Sequence, residues 1–432
     1  MTSAAVKLWG TRIGAVSWDA EQSLGFFEYD PAFLASNIEV APLSMPLAES
    51  IYSFPALPKE TYFGLAGMLA DVLPDRFGNA LIDAWLASRG RTPESFNPVE
   101  RLCYTGTRGM GALEFEPAMG AHSQTSEPLD IAALVELAGD VLAGRESFKA
   151  RLEGEESAAA VRDILRVGTS AGGARAKAVV AWNPETGELR SGQVDVAQGF
   201  SHWLLKFDGI AANRDKELAD PTGYGRIEYA YHRMALAAGI EMTECRLLHE
   251  NGRAHFMTRR FDRTETGAKL HMQSLCAIAH LDFNLAGAHS YEQALFTMRR
   301  LGLPMADLEQ QFRRAAFNVI ARNQDDHTKN IAFLMSKTGE WSLSPAFDVI
   351  YSYNPDGAWT GQHQMTLNGK RDGFERADFE AAGKTVALKR GRALAILDEV
   401  AQAVQHWKEF AKEGGVPSEL ADRIAQAHRR PV

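Results

Sequence analysis

A short polar segment, residues 323–330 with the sequence NQDDHTKN, constrains this chain more than any other stretch. It follows an apolar helical pattern over 312–320 and precedes the apolar run 331–335. An irregular segment that carries two acids, a histidine, a lysine and two amides between buried elements needs partners for those groups. Such a segment is typical of a functional site held by a rigid scaffold.

The composition indicates an ordinary globular protein. The chain has 432 residues, 45% hydrophobic and 23% charged, which is enough for two or three domains with sizeable cores. The net charge of -9 argues against a general affinity for nucleic acid. The three cysteines, Cys103, Cys245 and Cys276, fit neither a disulfide framework nor a zinc site. We find no signal peptide and no run of about 18 apolar residues, so we expect a cytoplasmic protein without a membrane span.

The hydrophobic pattern predicts an α+β fold in which a strand-rich half precedes a helix-rich half. We expect a first subdomain of strands and helices over 1–125, with 120–128 as linker. A second, strand-bearing part is expected over 126–263, and a mostly helical part over 264–432. Two such halves favour two lobes with a cleft between them. The strands are predicted at 6–9, 11–18, 24–29, 114–116, 178–182, 202–207, 246–248 and 255–260, and the helices at 63–72, 76–89, 129–143, 228–238, 290–301, 305–322, 377–382 and 391–410.

Within the polar segment, Asp325 and Asn330 have the D-x-x-x-x-N spacing of a kinase catalytic loop. In such a loop the acid accepts the proton of a hydroxyl group and the amide binds magnesium. Lys329 could neutralise charge on the transferred group. We interpret His327 as structural and Asp326 as a solvated or loop-capping acid.

Two earlier features supply parts that phosphoryl transfer requires. The Gly-rich stretch 168–177 could bring backbone N–H groups to phosphate oxygens, or it could simply connect strands. Lys206 lies in an otherwise apolar strand, where a lysine needs a partner unless it reaches water from an edge. Glu228 is the expected partner, and Glu217 is the alternative.

Two later features complete the set. Asp348, between apolar residues shortly after the polar segment, is expected to be a second metal ligand; the alternative is a turn aspartate beside Pro345. The segment 259–263 (RRFDR) joins the two halves and is interpreted as a hinge whose backbone meets adenine, or as a charged interdomain turn.

Four ordered motifs give the chain a family resemblance: GGARAK (172–177), RRFDR (259–263), DDHTKN (325–330) and LSPAFD (343–348). With them the chain resembles the HipA-type serine/threonine kinases, toxins of bacterial type II toxin–antitoxin modules. The first 115 or so residues resemble the N-terminal domain of that family, through 43–47, 73–75 and 109–113. The resemblance implies an N-terminal subdomain packed on a two-lobed core similar to phosphoinositide kinases.

The resemblance also implies ATP and Mg²⁺ and assigns roles. Asp325 would be the catalytic acid, and Asn330 and Asp348 would be the metal ligands. Ser170, with Thr169 as the rival acceptor, would be autophosphorylated, and the added negative charge would repel ATP. Arg259 departs from the family pattern, which often has an acid there. The residues implied to contact ATP are Gly172, Gly173, Ala174, Arg175, Ala176, Lys177, Lys206, Arg259, Arg260, Phe261, His327, Thr328, Lys329, Asn330, Phe347 and Asp348.

The implied function is a protein kinase toxin that modifies a translation component, such as an aminoacyl-tRNA synthetase. The implied partner is a DNA-binding antitoxin, so that DNA is met only through that partner. The basic residues Lys384, Lys389, Arg390 and Arg392 could touch DNA in such a complex, although we favour a solvated helix start. The competing hypotheses are a small-molecule or lipid kinase, and a pseudokinase that acts with a DNA-binding repressor.

Overall fold

The structure is a computed structural model. It describes residues 2–87, 89–119, 128–143, 164–165, 167–168, 175–193, 198–210, 214–215, 218–219 and 223–430. The strands are β1 (Thr2–Leu8), β2 (Thr11–Asp19), β3 (Leu24–Tyr29), β4 (Ile51–Tyr52), β5 (Leu113–Glu116), β6 (Lys177–Trp182), β7 (Leu189–Ser191), β8 (Ser201–Lys206), β9 (Arg214–Asp215), β10 (Leu218–Ala219), β11 (Cys245–Glu250), β12 (Arg253–Arg259), β13 (His271–Ser274), β14 (His289–Ser290), β15 (Ala332–Met335), β16 (Trp341–Leu343) and β17 (Met365–Thr366).

Helices fill much of the remaining described chain. The α-helices are α1 (Pro31–Leu34), α2 (Lys59–Tyr62), α3 (Gly67–Ala70), α4 (Arg76–Ala87), α5 (Pro98–Thr105), α6 (Ile131–Leu142), α7 (Tyr224–Ala237), α8 (Leu275–Ala279), α9 (Tyr291–Arg300), α10 (Met305–Ile320), α11 (Arg376–Thr385), α12 (Arg392–Gln405), α13 (Trp407–Glu413) and α14 (Ser418–Ala427). Short 3₁₀ helices cover Pro93–Ser95 and Thr328–Asn330. In the part of the chain that the structure describes, no helix is both long and apolar enough to cross a membrane.

Two five-stranded antiparallel sheets form the frame of the molecule. The first has the order β4-β3-β2-β1-β5, so that β5, which includes the predicted strand 114–116, lies at one edge beside β1. The second has the order β11-β12-β8-β6-β7, which places β8 in its centre. The helices α7, α10, α12 and α13 share one large apolar core. The predicted α+β fold with a strand-rich and a helix-rich lobe is therefore confirmed.

The predicted parts share their cores. The core of the first sheet also contains Cys276 and Met335, which come from the second half of the chain. Helix α4 places Phe77 and Leu81 in the core beneath the second sheet, where α6 also packs. Burying apolar side chains from distant segments in one core ties those segments together. Cys103, Cys245 and Cys276 are free and buried.

The structure corrects three sequence predictions. Of the predicted helix 63–72, only 67–70 is helical, as α3; α2 ends at Tyr62, and Phe63 and Gly64 after it adopt left-handed backbone angles. The predicted helix 391–410 is broken at His406. The chain after Asp262 is less helical than expected, since β13, β15 and β16 form a three-stranded antiparallel sheet there. Short strands beside long helices give little periodicity to detect.

Candidate active site

Lys206 at the end of β8 is the centre of a charge cluster whose other members are the buried Glu228 and the partly exposed Asp348. Its Nζ lies 2.6 Å from Glu228 Oε1 and 2.6 Å from Asp348 Oδ1. Burial alone would lower the pKa of Lys206, but Asp348 and Glu228 outweigh it and raise that pKa above its usual value. Strand β8 is central in its sheet, and the Lys206 side chain is only 12% exposed. The alternative interpretation, that Lys206 reaches water from a sheet edge, is therefore excluded. Glu228 is the partner, while Glu217 lies outside the described residues.

Asp348 brings the second lobe to this cluster. Burial would raise the pKa of its carboxyl group, but Lys206 holds that pKa well below its usual range. Asp348 has a φ of 56°, a left-handed conformation that costs a non-glycine residue free energy and is common at functional sites. The preceding Phe347 ring lies 5.5 Å from the Phe261 ring, so 259–263 and 343–348 meet, as expected if both contribute to one ATP site.

The catalytic-loop candidates lie at the end of α10. Asp325 Oδ1 accepts a hydrogen bond from Trp359 Nε1 at 2.6 Å, and His327 Nε2 lies 3.8 Å from Asp325 Oδ2. Asn330 Nδ2 donates to the Asp325 backbone carbonyl at 2.9 Å, which fixes the amide group across the loop. Lys329 Nζ lies 4.9 Å from the centre of the Phe283 ring.

Thr328 helps to anchor the loop, because its Oγ1 donates to the Leu281 carbonyl at 2.7 Å. Asn330 and Asp348 line one small cavity of about 20 Å³, together with Asn323 and Arg314. Among the described residues, no group of three or more His, Cys, Asp or Glu side chains could hold a metal ion. A metal here would depend on the mixed amide and carboxylate pair Asn330 and Asp348.

Asp326 is a structural acid, buried rather than solvated. Its Oδ2 accepts hydrogen bonds from Tyr291 Oη at 2.5 Å and pairs with His363 Nδ1 at 2.8 Å. Its Oδ1 accepts the Gln364 N–H at 2.8 Å. The solvated alternative for Asp326 is therefore wrong, because three donors enclose the carboxylate, and its role is to anchor the loop.

The end of the Gly-rich stretch enters the site through Lys177. Lys177 Nζ lies 3.1 Å from Asp75 Oδ2, and both side chains are buried. Asp75 also accepts the Gly78 N–H at 2.7 Å at the start of α4. Burial raises the pKa of the Asp75 carboxyl group, and Lys177 and Lys329 oppose that rise. Asp75 is not among the site residues predicted from the sequence. Its only signal there is the Leu-Pro-Asp motif, 73–75.

Of the other predicted residues of this stretch, the structure describes Arg175 and Ala176. The Arg175 guanidinium lies 3.6 Å from the centre of the Tyr224 ring, and the Ala176 carbonyl accepts the Phe207 N–H at 3.1 Å. Five predicted residues lie outside the described part of the chain: Thr169, Ser170, Gly172, Gly173 and Ala174.

The charged side chains of the segment 259–263 pair with one another and with Glu265. Arg260 binds Asp262 through Nε at 2.9 Å and Nη2 at 2.7 Å, and Arg263 Nη1 lies 2.8 Å from the same carboxylate. Asp262 Oδ2 also accepts the Gly111 N–H at 2.7 Å. Arg259 instead pairs with the exposed Glu265.

Backbone bonding narrows what this segment can offer a nucleotide. The N–H groups of Arg259 and Arg260 donate at 2.9 Å to the carbonyls of Glu244 and His202. These two N–H groups are therefore already bonded within the protein and are not free to bind adenine. A cavity of about 250 Å³ lies beside the segment, but Lys206 and Asp348 do not line it, so we do not place the phosphates there.

Two family models match this chain. The HipA N-terminal domain matches residues 4–116, and the HipA-like C-terminal domain matches residues 169–407. A Sinorhizobium fredii (strain NBRC 101917 / NGR234) protein named "Putative kinase Y4mE" is 23% identical over 99% of this chain and 97% of its own length. From the same strain, "Putative kinase Y4dM" is 27% identical over 30% of this chain and 34% of its own length.

A solved structure has the same fold. It is HipA of Shewanella oneidensis MR-1, from a complex with HipB and operator DNA, with 17% identity and a TM-score of 0.65. The match covers 98% of this chain and 94% of that chain, which shows the fold over nearly the whole length. Since the HipA-like C-terminal domain alone matches more than half of the sequence, this chain belongs to the HipA family.

Proposed function

We propose that this chain is an ATP-dependent serine/threonine protein kinase that acts as the toxin of a toxin–antitoxin pair. The observation that carries the proposal is Lys206 bound to both Glu228 and Asp348, in a chain that also holds Asn330 against Asp325 in one loop. Phosphoryl transfer needs three such parts: a lysine held by an acid from the following helix, an acid in a loop, and a later aspartate.

The residues present fit ATP and Mg²⁺. Asp348 and Asn330 offer the oxygen ligands that Mg²⁺ prefers, and Lys206 and Lys177 offer cations to phosphate oxygens. Bound MgATP would supply the transferable phosphoryl group and neutralise its developing charge. Asp325 would orient the substrate hydroxyl group and accept its proton, and Lys329 would stabilise negative charge on the transferred group.

We also propose a DNA-binding antitoxin as partner, because the Shewanella relative was solved with HipB and operator DNA. DNA would be met through that partner. The basic patch fits a solvated helix start, since Lys384 pairs with Glu380, and Arg392 pairs with Glu309 and Glu399. The proposal also includes autophosphorylation at Ser170 and a translation component as the target. It further includes domain boundaries after residues 125 and 263.

The experiment is phosphate transfer from labelled ATP, followed by phosphoamino-acid analysis and phosphoproteomics after expression in cells. We expect label on serine or threonine, and growth arrest without an antitoxin. Asp325→Asn should reduce transfer by at least about a hundredfold, because it removes the proton acceptor. Asp356→Asn, in an exposed turn of a nearby loop, is the matched control and should retain activity.

Three results would contradict the proposal. Transfer only to lipids or small molecules would indicate a different kinase class. ATP binding or transfer absent from the wild-type protein would indicate a pseudokinase. Full activity of Asp325→Asn would show that another group accepts the proton.

A further inference from the structure

A loop that follows Asp348 closes on itself beside the candidate catalytic acid. The Gly357 N–H donates to the Asn354 carbonyl at 3.0 Å, and the Gly361 N–H donates to the Gly357 carbonyl at 3.2 Å. A Cβ atom at Gly361 would lie 2.4 Å from the Gly357 oxygen, so only glycine fits that turn. The tip of the loop therefore has a fixed shape.

Two glutamine side chains fix this loop to the catalytic segment. Gln364 Nε2 donates to the Trp359 carbonyl at 2.5 Å and to the Gln324 carbonyl at 3.1 Å. Gln324 Nε2 donates in turn to the Thr360 carbonyl at 3.1 Å. The Gln364 N–H donates to Asp326, so this buried acid also holds the loop against the catalytic segment.

The loop delivers one side chain to the site, the indole of Trp359. Its Nε1 donates to Asp325 Oδ1 at 2.6 Å. An indole N–H can only donate, and a hydrogen bond to an ionised carboxylate is among the stronger kinds. Because backbone contacts on both sides hold Trp359, its donor fixes the direction of the carboxylate.

We propose that Trp359 is a positioning residue that holds Asp325 Oδ1 and so presents Oδ2 to the substrate hydroxyl group. The inference rests on the proposed kinase function. A carboxylate has two oxygens, so one can be held while the other accepts the proton. His327 Nε2 lies 3.8 Å from this second oxygen, Oδ2.

The test replaces the donor and keeps the ring. Trp359→Phe removes the N–H, and the isostere β-(3-benzothienyl)alanine at 359 removes it while retaining the bicyclic shape. Both should lower kcat about 10- to 100-fold, the effect of losing one hydrogen bond to a charged group. The KM for ATP should stay within about twofold, because Trp359 acts on the hydroxyl side.

The control is Trp341→Phe, which also loses an indole hydrogen bond, to the Glu39 carbonyl at 3.3 Å. It should leave kcat unchanged. An independent readout is the indole ¹⁵N–H resonance of Trp359, which should move upfield in Asp325→Asn and stay in place in Asp356→Asn.

The outcomes separate the two proposals. A wild-type protein without phosphate transfer contradicts the kinase function itself. An active wild type whose kcat survives both replacements at 359 overturns the role of Trp359. A rise in kcat would also overturn it, since that would show that Trp359 blocks Asp325 rather than orienting it.

Discussion

At the scale of single residues, two clusters of charged side chains connect segments that lie far apart in the described chain. Lys206 joins β8 to α7 and to Asp348, and Asp262 joins the end of the second sheet to Gly111. Removing one member of a buried pair is far more costly than removing an exposed one, because the partner stays charged without a counter-ion. Two predictions follow from this difference.

Glu228→Gln should weaken ATP binding. The substitution removes one of the two carboxylates that hold Lys206 Nζ, so the ammonium group loses its fixed position. We expect the KM for ATP to rise about tenfold, the effect of one charge-assisted hydrogen bond. Steady-state kinetics measures it, with the exposed Glu244→Gln as control. An unchanged KM would mean that Asp348 alone orients Lys206.

Asp262→Asn should destabilise the protein by about 3–5 kcal/mol, because Arg260 and Arg263 remain buried without a counter-charge. Burial would raise the pKa of Asp262, but the two arginines hold it well below its usual range. Such a group contributes stability above its unfolded pKa of about 4 and loses that contribution as the pH falls.

Urea unfolding at neutral and acidic pH checks this prediction. Wild-type stability should fall below about pH 4, and the variant should lack this part of the decline. The control is Glu265→Gln, an 81% exposed partner of Arg259, which should cost less than about 1 kcal/mol. Equal acid sensitivity of wild type and Asp262→Asn would contradict the assignment.

At the scale of elements, side chains at helix starts connect the structure. Asn97 with Glu100, and Ser290 with Gln293, form capping boxes that begin α5 and α9. Asp75 at the start of α4 has a second task, since it also pairs with Lys177 of β6. An acid at a helix N-terminus is favoured by the helix dipole.

Asp75→Asn separates these two tasks. Asparagine caps a helix as well as aspartate does, so any loss reports the ion pair. We expect a cost of about 3 kcal/mol, and a double-mutant cycle with Lys177→Met should give a coupling energy of roughly 1–3 kcal/mol. Asp130→Asn, at the exposed start of α6, is the matched control. Additive effects in the cycle would contradict a direct pair.

At the scale of the whole molecule, the region around the first sheet is packed against the helix-rich half. Ser274 N and Oγ donate to Asp71 at 2.7 and 2.8 Å, and Tyr62 Oη donates to the Cys276 carbonyl at 3.1 Å. The Gly67 N–H donates to His280 Nε2 at 3.1 Å. Shared hydrogen bonds and shared cores predict that the two regions unfold together.

Gly67→Ala tests this contact. An added Cβ would lie 2.2 Å from the Ala277 carbonyl oxygen, so α3 must move away from α8. We expect about 1–3 kcal/mol of destabilisation and faster labelling of the buried Cys276 thiol. Gly139→Ala, where a Cβ meets nothing within 4 Å, should be neutral or stabilising. Labelling of Cys276 at the wild-type rate would show that the interface tolerates the methyl group.

The sequence determined most of the local structure and the identity of the candidate residues. Alternation and helical periodicity located β2, β3, α4 and α10, because each has one face in a core. The chemistry of the segment 323–330 marked Asp325 and Asn330, since residue type and spacing are written in the chain itself.

Only the tertiary structure decided which of these residues meet. Asp75 reaches Lys177 and Trp359 reaches Asp325 through folding, and the separations of 102 and 34 residues carry no periodic signal. Asp326 is buried by donors from two distant segments, which no local pattern reveals. Residue type sets what a side chain can do, whereas packing of remote segments sets which partner it finds, and a buried charge must find one.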